Sequence, residues 1–229
     1  EAIKLYNASN FFDDRAVPVA DRQAIAKRLA GIGQVTVECH PRLVGEACLQ
    51  FAEQLDGGLE VAMGLETVDP EVLPRLNKQM SLEDFARATD LLRAHGIGIR
   101  VFVLLSPPFV ESNRSVEWCL RSIAFAQDHG ADVVAVIPTR GGNGEMERLA
   151  ELGEFSPPTL EMLEETMSRA LGWARCVVLA DLWDVERLAA CAECGAQRRS
   201  RLVEMNRTGE ATAAIRCSAC RPEPGGDAS

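Results

Sequence analysis

The stretch Leu59–Thr67, LEVAMGLET, decides the fold. Its apolar run, Leu59, Val61, Ala62 and Met63, stops at Gly64 and then offers Glu66 and Thr67. A buried strand that ends on a glycine and a carboxylate is how a β/α fold brings a polar group to a ligand at the carboxyl edge of its sheet. The plainer alternative is a core strand followed by a helix cap. The flanking segments choose between the two.

Before it, Ala2–Tyr6 alternates as a strand and closes on the polar turn Asn7-Ala8-Ser9-Asn10. A helix over Ala20–Leu29 ends at Gly31 and Gly33, since glycine supplies the left-handed residue that closes a helix. Gln34–Cys39 is a β-branched strand ending at His40-Pro41, and a helix over Leu43–Leu55 follows. After the opening stretch, Thr67–Asp69 caps a short helix at Pro70–Arg75. Ser81 and Asp84 form a capping box for a helix that runs to His95. Ile97–Leu105 is a strand stopped by Ser106-Pro107-Pro108, because proline cannot continue a ladder. Then come a helix Ser115–His129, a strand Ala131–Ile137, the loop Pro138–Gly144, a helix Thr159–Leu171 and a last apolar strand Arg175–Ala180.

Strands and helices therefore alternate at intervals of roughly thirty residues, the pattern of parallel strands joined by right-handed crossovers. Such a pattern makes a doubly wound sheet or a full or partial (β/α) barrel. In both, reactive groups collect at strand carboxyl ends. Those ends carry Asn7 and Ser9; Glu38, Cys39 and His40; Gly64, Glu66 and Thr67; Ser106 and Pro107; Pro138, Thr139 and Arg140; and Asp181. They read as a ligand rim without a Ser–His–Asp order or a P-loop. His40 reads either as a structural histidine or as a general base. Gly141–Gly144 reads either as a mobile lid or as a phosphate nest.

The 229 residues, 47% hydrophobic and 25% charged, suit one soluble domain with a small appendage. No apolar run approaches the ~20 residues that span a bilayer. With no basic-then-apolar leader either, the chain reads as cytoplasmic, with no membrane partner. The net charge of −10 argues against nonspecific nucleic-acid binding by the bulk surface. The tail is the exception: Arg198, Arg199, Arg201, Arg207, Arg216 and Arg221 face only Glu204 and Glu210 there.

Of eight cysteines, Cys39, Cys48, Cys119 and Cys176 sit mostly among apolar neighbours and read as buried thiols. Cys191, Cys194, Cys217 and Cys220 form two CxxC pairs with twenty-two residues between them, a four-thiolate set for tetrahedral zinc. An iron–sulfur centre is the second possibility. Arg201–Met205 and Thr212–Ile215 alternate about the turn residues Asn206–Gly209, which reads as a hairpin between two knuckles, a zinc ribbon. Its arginines read either as RNA phosphate contacts or as a solvated charged surface.

Several segments resemble the radical S-adenosylmethionine superfamily. They are KLYNASNFFDD (Lys4–Asp14), VTVECHP (Val35–Pro41), AMGLETVDPEVLPRLNKQMSLEDF (Ala62–Phe85), VFVLLSPPF (Val101–Phe109) and ERLAELGEFSPPTL (Glu147–Leu160). The nearest branch contains the radical subunit of archaeosine synthase and, further off, the catalytic subunit of Elongator. The resemblance implies a partial (β/α)6 barrel holding a [4Fe–4S] cluster and S-adenosylmethionine. The cluster would donate an electron from a redox partner, and a 5′-deoxyadenosyl radical would abstract hydrogen from a substrate, by analogy RNA or tRNA. Carried over by residue, Asn7, Ala8 and Ser9 stand at the methionine amino group, and Glu66 and Thr67 at the ribose. Leu104, Ser106 and Pro107 lie in the adenine wall (Val103–Pro107), and Ile137 and Pro138 near the ring.

One departure is clear: the superfamily's Cys-x3-Cys-x2-Cys motif occurs nowhere in the chain. Residue 1 is Glu and already reads as part of a strand, so the simplest expectation places the first barrel strand and the cluster ligands upstream of Glu1. A degenerate homologue that kept the scaffold is the other account. The expected organisation is a partial barrel over residues 1–184 lacking its first strand, a four-cysteine module over 185–222 and a disordered tail over 223–229. Three function classes stand: a radical S-adenosylmethionine enzyme, an adaptor acting through its ribbon, and, resting on His40 and the glycine loop, a phosphate-binding hydrolase or lyase.

Overall fold

The structure, a computed structural model, describes residues 1–6 and 10–220. Asn7, Ala8, Ser9 and the 223–229 tail lie outside the described residues. Strands are β1 (Ala2–Leu5), β2 (Gln34–Glu38), β3 (Gly58–Glu66), β4 (Gly98–Leu105), β5 (Val133–Pro138) and β6 (Val177–Ala180). Helices are α1 (Val19–Arg28), α2 (Glu46–Ala52), α3 (Leu82–Ala94), α4 (Ser115–Asp128), α5 (Glu145–Glu151), α6 (Leu160–Leu171) and α7 (Gly195–Thr208). The six strands form one sheet in the order β1-β2-β3-β4-β5-β6. The pairs from β1 to β4 are parallel. A doubly wound sheet reverses its direction of growth at a switch point. This order never reverses, so the topology is that of a partial β/α barrel.

The chain divides into two compact units, residues 1–103 with 121–135, and residues 104–120 with 136–229. In the first, Val35, Val37, Val61, Met63, Leu65, Ile99, Val101 and Val103 are all fully buried. These are alternate residues of each strand, so they line one face of the sheet, and β4 alternates strictly between buried and half-buried positions. Phe85 and Leu92 of α3 are buried as well, and Phe11, Phe12 and Phe51 form an edge-to-face cluster with Phe11 and Phe51 centroids 4.9 Å apart. In the second unit, Leu105, Val136, Val178 and Ala180 are buried, along with Leu160, Leu163, Met167 and Ala170 of α6 and Leu202 and Met205 of α7.

The sequence reading needs three corrections. The helix expected over Leu43–Leu55 is a 3-10 turn at Pro41–Leu43 and then the shorter α2, because Gly45 is fully extended, with φ −177°, and breaks the run. A helix, α5, follows the glycine loop unannounced; Asn143 caps it, its side-chain oxygen accepting from the Glu145 and Met146 amides at 3.1 Å. The residues between the CxxC pairs form a helix, not a hairpin. Arg198, Arg201, Leu202 and Met205 are its buried residues, spaced to lie on one helical face. The alternation in Arg201–Met205 is therefore incidental.

Candidate functional site

In the first unit the site is built at the end of β3. The β3–β4 register slips between Gly64 and Glu66, and Glu66 adopts a left-handed backbone with φ 66°. For a residue with a side chain this conformation costs on the order of 1–2 kcal/mol, and such strain concentrates at functional sites. The Glu66 carboxylate meets Lys78 Nζ at 2.6 Å, with the glutamate side chain 13% exposed. Gly64 makes room for the pair: a Cβ there would fall on Glu66 Oε1 and 2.9 Å from Lys78 Nζ. Lys78 sits between two further left-handed residues, Asn77 (φ 53°) and Gln79 (φ 51°).

His40 secures that loop. Its Nε2 lies 2.7 Å from the Lys78 carbonyl, and its Nδ1 faces the Arg42 amide at 3.2 Å. Both ring nitrogens are thus engaged with backbone groups, and His40 acts as a structural clamp on the loop. Glu38, ending β2, has its carboxyl raised by burial; Lys78 opposes this and Glu66 reinforces it. Two acids therefore share one base at this rim. The Thr67 hydroxyl accepts from the Asp69 amide at 3.1 Å, so it is occupied in the turn.

The second unit has its own strand ends. Ser106, following β4, is also left-handed, with φ 55°. Its buried hydroxyl and that of Thr139 have no hydrogen-bond partner among the described residues. The Thr139 amide donates to the Leu105 carbonyl at 3.0 Å, so the two strand ends adjoin. Pro107 and Pro138 are buried, and Leu104 and Ile137 are half-buried beside them. Buried orphan hydroxyls are rare in proteins, and these are chemically suited to the polar edge of a ligand whose apolar face rests on such neighbours. Next to them, Arg140 Nη1 contacts Asp181 Oδ2 at 2.8 Å, and its guanidinium lies 5.5 Å from the Trp183 ring centroid.

The glycine loop is neither open nest nor free lid. The Gly142 and Gly144 amides donate to the Glu147 carboxylate at 2.5 and 2.8 Å, so an acid already holds the donors a phosphate would need. Neither Lys78 nor Glu147 was assigned a role from sequence. Lys78 pairs across a turn that no local pattern encodes, whereas Glu147 stands at the third position of α5, where it makes a local capping box with the Gly144 amide.

The second unit also holds the four-cysteine set. The sulfurs of Cys191, Cys194, Cys217 and Cys220 all lie within 4.8 Å of one another. Cys191–Cys217 and Cys194–Cys220 are separated by 3.9 and 3.4 Å. Four sulfurs at 2.3 Å around tetrahedral zinc would be about 3.8 Å apart, so the set fits one ion. The Cys194 amide and the Cys220 thiol draw the Cys191 thiol down to about 7, while the same network pushes Cys220 up to about 12. Burial drives Cys39 and Cys48 up to about 12, the state of inert core thiols. Cys39, at the end of β2, donates to the His40 carbonyl at 3.3 Å. No cysteine set at the described strand ends fits a [4Fe–4S] cluster.

No family model matches the chain. It is 29% identical over 177 residues to archaeosine synthase subunit beta of Methanosarcina acetivorans, covering 73% of this chain and 50% of that protein. To the protein of the same name from Thermococcus kodakarensis it is 30% identical over 166 residues, covering 69% and 51%. Among solved structures it superposes on Elp3 of Methanocaldococcus infernus with a TM-score of 0.67 at 18% identity, covering 96% of this chain and 57% of that one. It also superposes on coproporphyrinogen III oxidase (HemN) of Escherichia coli, described as a radical SAM enzyme, with a TM-score of 0.54 at 15% identity over 69% and 38% of the chains. This is the radical S-adenosylmethionine fold. The resemblance to that superfamily and to its archaeosine synthase branch holds. The chain spans about half the length of the curated relatives it matches. No helix among the described residues is long and apolar enough to cross a membrane.

Proposed function

We propose that this chain forms the S-adenosylmethionine-holding part of a radical S-adenosylmethionine enzyme that modifies RNA. The observation that carries the reading is Glu66: a strained, half-enclosed carboxylate at the end of β3, with Gly64 clearing space for it. A carboxylate accepts two hydroxyl hydrogen bonds from one ribose, and charge-assisted bonds are about twice as strong as neutral ones. Glu38 and Glu66 against Lys78 leave excess negative charge, which favours a ligand carrying sulfonium and ammonium groups. For the second unit, the superfamily resemblance assigns Leu104, Ser106 and Pro107 to the adenine wall and Ile137 and Pro138 to contacts near the ring. Thr67, beside Glu66, remains the second proposed ribose contact. Asn7, Ala8 and Ser9 remain the proposed contacts of the methionine amino group.

The cluster would supply the electron that cleaves the sulfonium bond. The described residues offer it no ligand set, so the role assigned to them is binding, orientation and exclusion of water. Zinc is the metal assigned to the four cysteines, from their spacing. The RNA assignment rests on the relatives, since Arg198 and Arg201 are buried in ion pairs and Arg199 and Arg207 contact Glu186 and Glu204.

Calorimetry with S-adenosylmethionine tests the reading. Glu66→Gln is expected to weaken binding at least about tenfold, equivalent to 1.4 kcal/mol, without changing the melting temperature. The competing reading is a noncatalytic adaptor on the same scaffold. It wins if neither the wild type nor Glu66→Gln binds S-adenosylmethionine.

A further inference from the structure

The four-cysteine centre is joined to the rest of its unit by a buried charge network. Arg198 is 7% exposed, Arg201 8%, Glu164 3% and Cys194 2%. Arg198 Nε donates to Cys194 Sγ at 3.2 Å, and Glu161 Oε1 lies 3.2 Å from the same nitrogen. Its Nη1 pairs with Glu164 Oε2. Arg201 Nη1 takes the other Glu164 oxygen at 3.0 Å, and its Nη2 reaches Ser168 Oγ at 2.8 Å and the Thr212 carbonyl at 2.6 Å. Two guanidinium groups thus meet one fully buried carboxylate. With Glu161 the two guanidiniums are balanced by two carboxylates, as buried charges must be, and the one further group that Arg198 Nε reaches among the described residues is the sulfur of Cys194.

We propose that Arg198 is an outer-sphere ligand of the four-cysteine metal centre, donating its Nε–H to the sulfur of Cys194 and locking the first knuckle to α6. This rests on reading the four cysteines as a metal site. Four thiolates around a divalent ion carry a net charge of −2. An N–H donated to one of them offsets part of that charge and fixes the direction of its lone pairs. Outer-sphere partners of metal ligands typically contribute 10–100-fold to affinity. Arg201 provides the internal comparison. It shares Glu164 and is equally buried, but its guanidinium reaches Ser168 and Thr212 in place of sulfur.

The test is zinc competition between the full chain and a chromophoric chelator, with cobalt-loaded protein read by absorption. Wild type that takes up no zinc or cobalt would defeat the metal reading itself, a separate failure. Given uptake, Arg198→Met is expected to lose about 10–100-fold in zinc affinity and to shift the sulfur-to-cobalt charge-transfer band. Arg201→Met should lose less than about threefold and leave the band in place, since outer-sphere effects act through the ligand touched. Unchanged affinity in Arg198→Met, or equal losses in the two variants, overturns the proposal. Should Arg198→Met fail to fold by circular dichroism, Arg198→Lys carries the test: it keeps a charge but loses the planar fork. A measurable loss with the band shifted supports the proposal, and wild-type behaviour overturns it.

Discussion

Gly64 and Glu66 act together. Glu66 can point its carboxylate along the rim only because its backbone turns left-handed at the register slip, and the space it enters is the one a Gly64 side chain would fill. Gly64→Ala is therefore expected to break the Glu66–Lys78 pair and to cost about 1–3 kcal/mol, the usual range for forcing an extra methyl into a packed site. Urea unfolding measures the stability, and calorimetry should show S-adenosylmethionine affinity falling as far as in Glu66→Gln. Adding Glu66→Gln to Gly64→Ala should cost little further affinity, because both act on the same carboxylate. At this scale half of the site was legible. A carboxylate two residues past a glycine at a strand end is visible in LEVAMGLET, whereas the loop that carries Lys78 is set by Asn77, Gln79 and a histidine from the turn after β2.

The start of α3 was legible because a cap is a local hydrogen-bond problem. Ser81 and Asp84 form both bonds of the box, the Asp84 amide donating to Ser81 Oγ at 3.2 Å and the Ser81 amide to Asp84 Oδ2 at 3.1 Å. Ser81→Ala should cost about 1 kcal/mol, read as a lower urea midpoint with an unchanged slope. The α7 segment was the least legible element. Leu202 and Met205 satisfy a period of three, while Arg201–Met205 also satisfies a period of two. The decision came from Glu164 on α6, which pairs with residues three apart on α7.

For the whole molecule, sequential strand order separates a partial barrel from a doubly wound sheet, and the metal centre bears on how far the second unit holds together. The fully buried apolar side chains of α7 are Leu202 and Met205. That is little core to retain a helix in a small metal-bound module. Removal of metal by a chelator is expected to raise amide hydrogen exchange over Gly195–Thr208 by at least about 100-fold, as local unfolding does. The amides of α3, in the first unit with its own core, should keep their protection. Unchanged exchange in α7 would show that the Glu164 ion pairs hold it without metal.

By itself the sequence determined the alternation of strand and helix, the caps, the six strand positions and the two CxxC pairs. Each depends on residues near one another in the chain, whose apolar period or hydrogen-bond needs can be read in place. Tertiary structure decided the rest: the unreversed strand order, the helix between the knuckles and the clamping role of His40. These depend on which distant group arrives to share a buried proton or charge, and the cost of leaving such a group unpaired is set only once the surrounding side chains have excluded water.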